Sequence, residues 1–264
     1  MPKKLFLMSA SSNSGKTVLA NGLLNIAAKR YSRVQFYKAL SIDIAPQPTK
    51  DGSVVAAYMQ EYSLSARSSL RAANNTAYFN PENQTLYCHG LAVTQSKLIT
   101  RDNIDCDNVN PQVISQIKDQ IRQDIEVLSD TADILIAEGG GNCLLGGDHE
   151  FSNRWPATEF QFPIVLVAEG RDGGGFLSLL GLKNAMPEKL QKQVAGFVVN
   201  GVLEQTPTID KTISDLSQKT GWPCLGVLPW FHFDENSSYE EWQNTLETKL
   251  YEHARPLLSL LSDL

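Results

Sequence analysis

Short apolar runs closed by glycine, serine or proline recur along the chain, and between them apolar residues return at intervals of three and four. Leu5-Phe6-Leu7-Met8 is such a run and stops at a Ser/Asn/Gly cluster, the pattern of a strand buried on both faces. Val18, Leu19, Gly22, Leu23, Ile26 and Ala27 then fall at helical spacing, and a second strand is predicted at Val34-Gln35-Phe36-Tyr37-Lys38. Val113 to Leu128 reads as a helix. Four further strands are predicted at Ile134–Ala137, Ile164–Val167, Phe197–Val199 and Cys224–Leu228. Strands alternating with helices predict an α/β fold, a parallel sheet with helices on both faces.

The stretch from 39 to 130 is less regular. Pro46 and Pro48 break it, Ser53 to about Tyr62 has helical spacing, and an Asn-rich region follows around Asn74-Asn75 and Asn80-Pro81. No internal repeat or low-complexity linker interrupts the chain. The pattern therefore predicts a single domain over 1–264 that carries an irregular insertion at about 41–110.

Charge and cysteine usage narrow the classes. A net charge of −6 and a pI near 5.3 argue against nucleic-acid binding through a basic face. Cys88, Cys106, Cys143 and Cys224 are scattered without C-x-x-C spacing, which points to reduced thiols rather than disulfides or structural zinc. The apolar run at the N-terminus is too short for a signal peptide, and no 18-residue apolar stretch occurs. A cytoplasmic protein that engages neither membrane nor nucleic acid is expected.

The strongest chemical signal is Ser9-Ala10-Ser11-Ser12-Asn13-Ser14-Gly15-Lys16-Thr17 at the first strand-to-helix junction. Phosphates need converging backbone N–H groups, the positive end of a helix and a mobile ammonium. Here Gly15 permits the tight backbone, Lys16 is placed to reach the β- and γ-phosphates, and the Thr17 hydroxyl is a candidate Mg²⁺ ligand. Ala10 stands where the G-x-x-x-x-G-K-[ST] pattern has its first glycine. Glu138 ends an apolar strand and is followed by Gly139-Gly140-Gly141, at the sheet edge where open α/β folds bind ligands. It is a candidate metal ligand opposite Thr17, and the glycines would let phosphate or substrate approach the backbone. Lys38, ending the second strand, is either a γ-phosphate or substrate-carboxylate contact or a surface lysine. Asp51-Gly52 is either a metal ligand or a plain turn. Arg171-Asp172, followed by three glycines, is a site loop or a turn. His89 and His149 have no partner at ligand or triad spacing, and there is no nucleophile elbow.

Taken in order, these segments resemble the synthetase domain of cobyric acid synthase, in the wider group that includes dethiobiotin synthetase. The resemblance runs from Leu5 to about Pro229. It is carried by Ser14-Gly15-Lys16-Thr17, Lys38-Ala39, Thr49-Lys50-Asp51-Gly52, Asn80-Pro81, His89-Gly90, Glu138-Gly139-Gly140-Gly141, Glu169 to Phe176, Gly196 to Asn200 and Leu225-Gly226-Val227-Leu228-Pro229. The group activates a carboxylate with ATP and Mg²⁺ and lets a nitrogen nucleophile displace phosphate, giving an amide.

The resemblance implies a P-loop NTPase-type sheet, with Thr17, Asp51 and Glu138 as metal ligands and Lys16 and Lys38 on the γ-phosphate. It places Asn13 to Val18 around the phosphates and Asn200 and Pro229 at the adenine. Gly139, Gly140, Arg171 and Asp172 would face the substrate. Cobyric acid synthase continues into a glutaminase domain, whereas this chain ends at Leu264, so either glutamine-derived ammonia from a separate glutaminase subunit or a different amine is expected. Arg171-Asp172 reverses the group's Asp-Arg. Homodimers are common in the group. Dethiobiotin synthesis from a diamine, and a regulatory or non-catalytic P-loop ATPase, stay open as alternatives. The partitioning ATPases carry a signature lysine where this chain has Ser11.

Overall fold

The computed structural model describes residues 2–42, 76–80, 85–88, 91–95, 99–100, 103–104, 106–147, 149–171, 173–231 and 238–262. Six parallel strands form the main sheet: β1 (Lys3–Met8), β2 (Val34–Tyr37), β9 (Ile134–Glu138), β10 (Ile164–Glu169), β11 (Val194–Val202) and β12 (Cys224–Pro229). Their spatial order is β12-β11-β10-β1-β9-β2, which sets β1 near the centre and inserts β9 between β1 and β2. The register pairs Leu7 with Glu138 and Phe6 with Ile164.

The near-continuous apolar runs are explained by burial on both faces. Successive residues of β1 point to opposite sides of the sheet, so Leu5 and Leu7 join one core layer while Phe6 and Met8 join the other. The first layer packs against helix α1 (Lys16–Ala28) and the closing helices α7 (Tyr239–His253) and α8 (Arg255–Ser262). The second packs against α2 (Pro111–Thr131), α3 (Arg154–Glu159), α4 (Gly174–Ala185), α5 (Glu188–Gln191) and α6 (Pro207–Thr220).

Local sequence starts several of these helices. Asn110 accepts the Gln112 N–H at 2.9 Å and Pro111 opens α2, whose Ile114, Ile117, Ile121, Ile125 and Leu128 form its buried stripe. Ser238 and Glu241 form a reciprocal capping box at the start of α7.

Between β2 and α2, within the stretch that the pattern predicts as an irregular insertion, the described residues form short strands. A four-stranded sheet runs β3 (Leu40–Ile42), β4 (Ala77–Asn80), β5 (Thr85–Cys88), β6 (Leu91–Gln95), with β3 and β4 parallel and the other pairs antiparallel. A two-stranded pair, β7 (Ile99–Thr100) and β8 (Asn103–Ile104), follows. The strands are short, and the apolar positions buried in them among the described residues (Leu40, Ala77, Phe79, Leu86) do not mark a period of two in a polar background. The helical stretch expected at Ser53 to Tyr62 lies outside the described residues.

Candidate functional site

The loop after β1 occupies the C-terminal edge of the sheet, between the loops that follow β9 and β10. Asn13 and Gly15 both adopt left-handed backbone, with φ of 60° and 89°. Gly15 is the cap of α1 and no side chain caps that helix, so its first-turn N–H groups are offered to a ligand. A Cβ at Gly15 would stand 2.0 Å from the Asn200 amide nitrogen, which itself donates to the Ser14 carbonyl at 3.0 Å. Asn200, from β11, therefore braces the back of the loop. The Ser14 hydroxyl is buried with no hydrogen-bond partner.

Lys16 folds back into this loop rather than outward. Its ammonium donates to Ser9 Oγ at 2.6 Å, to the Ser11 carbonyl at 3.3 Å and to the Gly141 carbonyl at 3.2 Å. Burial pushes its pKa down to about 8, opposed by the nearby Glu138 carboxylate and reinforced by the Lys38 ammonium. The loop after β1 is tied to the one after β9 by the Cys143 N–H, which donates to the Ser9 carbonyl at 2.9 Å.

Glu138 is the electrostatic centre. It is 2% exposed, and its Oε1 accepts from Thr17 Oγ1 at 2.7 Å and from Lys38 Nζ at 2.8 Å. Its Oε2 is buried without a partner. Because β9 lies between β1 and β2, an acid ending β9 meets a hydroxyl from α1 on one side and a lysine just past β2 on the other. The second strand ends at Tyr37, one residue before Lys38, whose ammonium turns toward Glu138.

A hard divalent cation fits these donors. Among the described residues no group of three His, Cys, Asp or Glu side chains is gathered for a metal. Mg²⁺ needs less from a protein: it keeps several waters and takes one or two carboxylates together with phosphate oxygens. The orphaned Glu138 Oε2 and the adjacent Thr17 hydroxyl supply that set.

The other predicted residues are placed as follows. Val18 is in the first turn of α1, and Gly139 and Gly140 continue from Glu138 beside the phosphate loop. Pro229 ends β12, in register with Val202. Arg171, past β10, pairs with Glu169 at 2.5 Å and stacks over the Trp230 ring at 4.4 Å. Asp51 and Asp172 lie outside the described residues. Sequence reading did not single out Ser9 as the acceptor for Lys16, nor Asn153, whose amide donates to the Gly140 carbonyl at 2.6 Å. Each is a small polar residue among others, and only the folded loop shows its partner.

A nucleotide-phosphate loop between a central parallel strand and its helix, with an acid on the neighbouring strand, is a P-loop NTPase fold. The chain matches the model of a family described as an AAA domain over residues 3–235. It is 27% identical over 237 residues to cobyric acid synthase of Rhizobium etli (strain CIAT 652), covering 87% of this chain and 47% of that protein. Cobyric acid synthase of Rhizobium leguminosarum bv. trifolii (strain WSM2304) is 28% identical over the same length and with the same coverage. The chain thus spans about half the length of the curated relatives it matches. Among solved structures it is similar to a plasmid partition protein from Borrelia burgdorferi (TM-score 0.46, 16% identity, 95% of this chain and 99% of that one). It is also similar to a ParA family ATPase from Chlorobium tepidum TLS (TM-score 0.45, 13% identity, 100% and 98%).

Proposed function

The chain belongs to the AAA-domain family whose model it matches, and from that premise we propose that it is an ATP- and Mg²⁺-dependent ligase that activates a carboxylate for amide formation. The observation that carries the proposal is the convergence of Thr17 and Lys38 on one oxygen of buried Glu138 beside the Lys16 loop, with the other carboxylate oxygen left for a metal. The similarity to cobyric acid synthases, at 27–28% identity over most of this chain, supports the choice of ligase chemistry.

In this reading the N–H groups at the start of α1 receive the phosphates, and Lys16 exchanges Ser9, Ser11 and Gly141 for the β- and γ-phosphate oxygens. Thr17 and Glu138 would hold Mg²⁺, which when bound neutralises charge gathering on the transferring phosphoryl group. Lys38, released from Glu138, would face the γ-phosphate on the substrate side. The acceptor carboxylate would take the phosphoryl group there, and a nitrogen nucleophile would then displace phosphate. Asn200 and Pro229 are assigned to the adenine side, and Arg171 with Asp172 to the acceptor. A homodimer, a cytoplasmic setting and a separate glutaminase subunit as nitrogen source belong to the same proposal.

The test is to incubate the protein with ATP, Mg²⁺ and hydroxylamine across a panel of small and macrocyclic carboxylates. Hydroxamate should form together with ADP for at least one acceptor class. ADP released without hydroxamate for every carboxylate, but stimulated by a diamine with bicarbonate, would replace this reading with the dethiobiotin-synthetase one.

A further inference from the structure

The loop that carries Glu138 is held from behind by a residue the proposed reaction does not use. Asn153 is 1% exposed and immediately precedes α3. Its Nδ2 donates to the Gly140 carbonyl at 2.6 Å and to Ser152 Oγ at 3.1 Å. Its Oδ1 is buried without a partner, and a Cβ on Gly139 would lie 1.8 Å from that oxygen. Swapping the two ends of the amide would set oxygen against the Gly140 carbonyl, so the hydrogen bond fixes which way the side chain faces.

Asn153 is itself anchored. Glu150, 4% exposed, accepts through Oε1 from the backbone N–H groups of Ser152 and Asn153 and from Ser152 Oγ at 2.9 Å. Its Oε2 accepts the Arg154 N–H at 2.8 Å and the Trp155 N–H at 3.3 Å. A buried carboxylate with this many donors has little freedom to shift, and it fixes the start of α3.

Three consecutive residues after Glu138 are consequently tied in three directions. The Gly139 N–H donates to the Leu7 carbonyl of β1 at 3.0 Å, the Gly140 carbonyl accepts from Asn153, and the Gly141 carbonyl accepts from Lys16. Of these ties the Asn153 one comes from the segment that opens α3, and the same side chain fills the space beside Gly139, the residue that follows the carboxylate, leaving no room there for a Cβ.

We infer that Asn153 is a positioning residue for the metal: through Gly139 and Gly140 it sets the direction in which Glu138 offers its unpartnered oxygen. This rests on the proposed MgATP site. An amide is required because Nδ2 donates to the Gly140 carbonyl, while Oδ1, buried without a hydrogen-bond partner, lies where a Cβ on Gly139 would stand. An aspartate would keep the shape, lose the donor and bring a second buried negative charge close to Glu138.

The experiment measures binding of a fluorescent ATP analogue by the full chain in excess EDTA and in excess Mg²⁺, for the wild type, Asn153→Ala and Asn153→Asp. Asn153→Ala should bind within about threefold of the wild type in EDTA but lose roughly tenfold or more of the affinity gained from Mg²⁺. Asn153→Asp, whose added charge also repels the phosphates, should lose at least as much of that gain. Electron paramagnetic resonance of Mn²⁺ with ATP should show the same loss of tightly bound metal. An undiminished Mg²⁺ gain overturns the inference, and so does an equal fall with and without metal. If circular dichroism shows that either variant does not fold, Asn153→Ser, which creates a smaller void, takes its place with the same two outcomes. A wild type that gains nothing from Mg²⁺ would instead defeat the MgATP reading itself, so the two failures are told apart.

Discussion

Thr17 and Lys38 donate to the same oxygen of Glu138, at 2.7 and 2.8 Å, although they come from opposite sides of the strand that carries it. The acid is balanced by a lysine and a hydroxyl. The proposed function assigns the lysine to phosphate and the hydroxyl to metal, so in that reading MgATP exchanges these internal contacts for its own.

Removing the charge at Glu138 separates metal from nucleotide. Glu138→Gln should leave ATP binding in EDTA little changed and abolish most of the Mg²⁺ enhancement, a loss of roughly tenfold or more. Calorimetric titrations with and without Mg²⁺ read this directly. An equal Mg²⁺ enhancement in the variant would remove Glu138 from the metal site.

Lys16 makes the site sensitive to pH. Its pKa is pushed down to about 8 in the native chain from the ordinary lysine value of 10.5, so between these values the unfolded chain holds a proton that the native one lacks. Stability then rises with pH across that window, by on the order of 3 kcal/mol from this group alone. Lys16→Met should consequently be more stable than the wild type at pH 7, and its advantage should shrink as pH rises from 8 toward 10. Thermal melts of the pair check the sign, because other titrating groups are common to both chains. For the same reason ATP binding near pH 8.5 should take up a proton, visible as a dependence of the binding heat on buffer ionisation enthalpy.

Gly15 is constrained twice, by its backbone and by Asn200. Gly15→Ala should destabilise the fold by about 1–2 kcal/mol for the left-handed backbone alone, with a further cost for the contact with the Asn200 amide. Asn200→Ala in the same chain should recover the contact cost but not the backbone cost. Full recovery, measured by urea denaturation, would mean that the left-handed conformation carries no strain.

Cys106 and Cys143 are buried thiols whose pKa values are pushed up to about 12 by desolvation. Both should stay unreactive toward a thiol-specific disulfide reagent at pH 8 in the folded protein and react once it is unfolded. Their contribution to stability is present below the ordinary thiol pKa and is lost as pH rises toward 12.

Much of the main sheet, and the residues proposed for the site, stand out in the sequence. The six strands are buried on both faces, so each is an apolar run that stands out from its surroundings. Lys38 and Glu138 sit at or just beyond strand ends, and Lys16 and Thr17 open the helix that follows β1. The placement of β9 between β1 and β2 was not legible, because spatial strand order leaves no mark on local periodicity. It is this order that turns Lys38 from a strand-end lysine into a partner of Glu138. The sheet of β3 to β6 escaped because polar residues such as Thr85 and Tyr87 interrupt its few apolar positions along short strands. Asn153 escaped for another reason. Its importance lies in what its amide touches across the loop, and no spacing in the sequence announces that contact.

The central claim is that Lys16, Thr17 and Glu138 form a MgATP site. Calorimetric titration of ATP into the wild type and Lys16→Met, both in Mg²⁺, tests it most directly. The account predicts saturable binding to the wild type, and a loss of roughly 100-fold or more in the variant as the phosphates lose their buried ammonium. Equal affinity in the two chains, or no binding to the wild type, would contradict it.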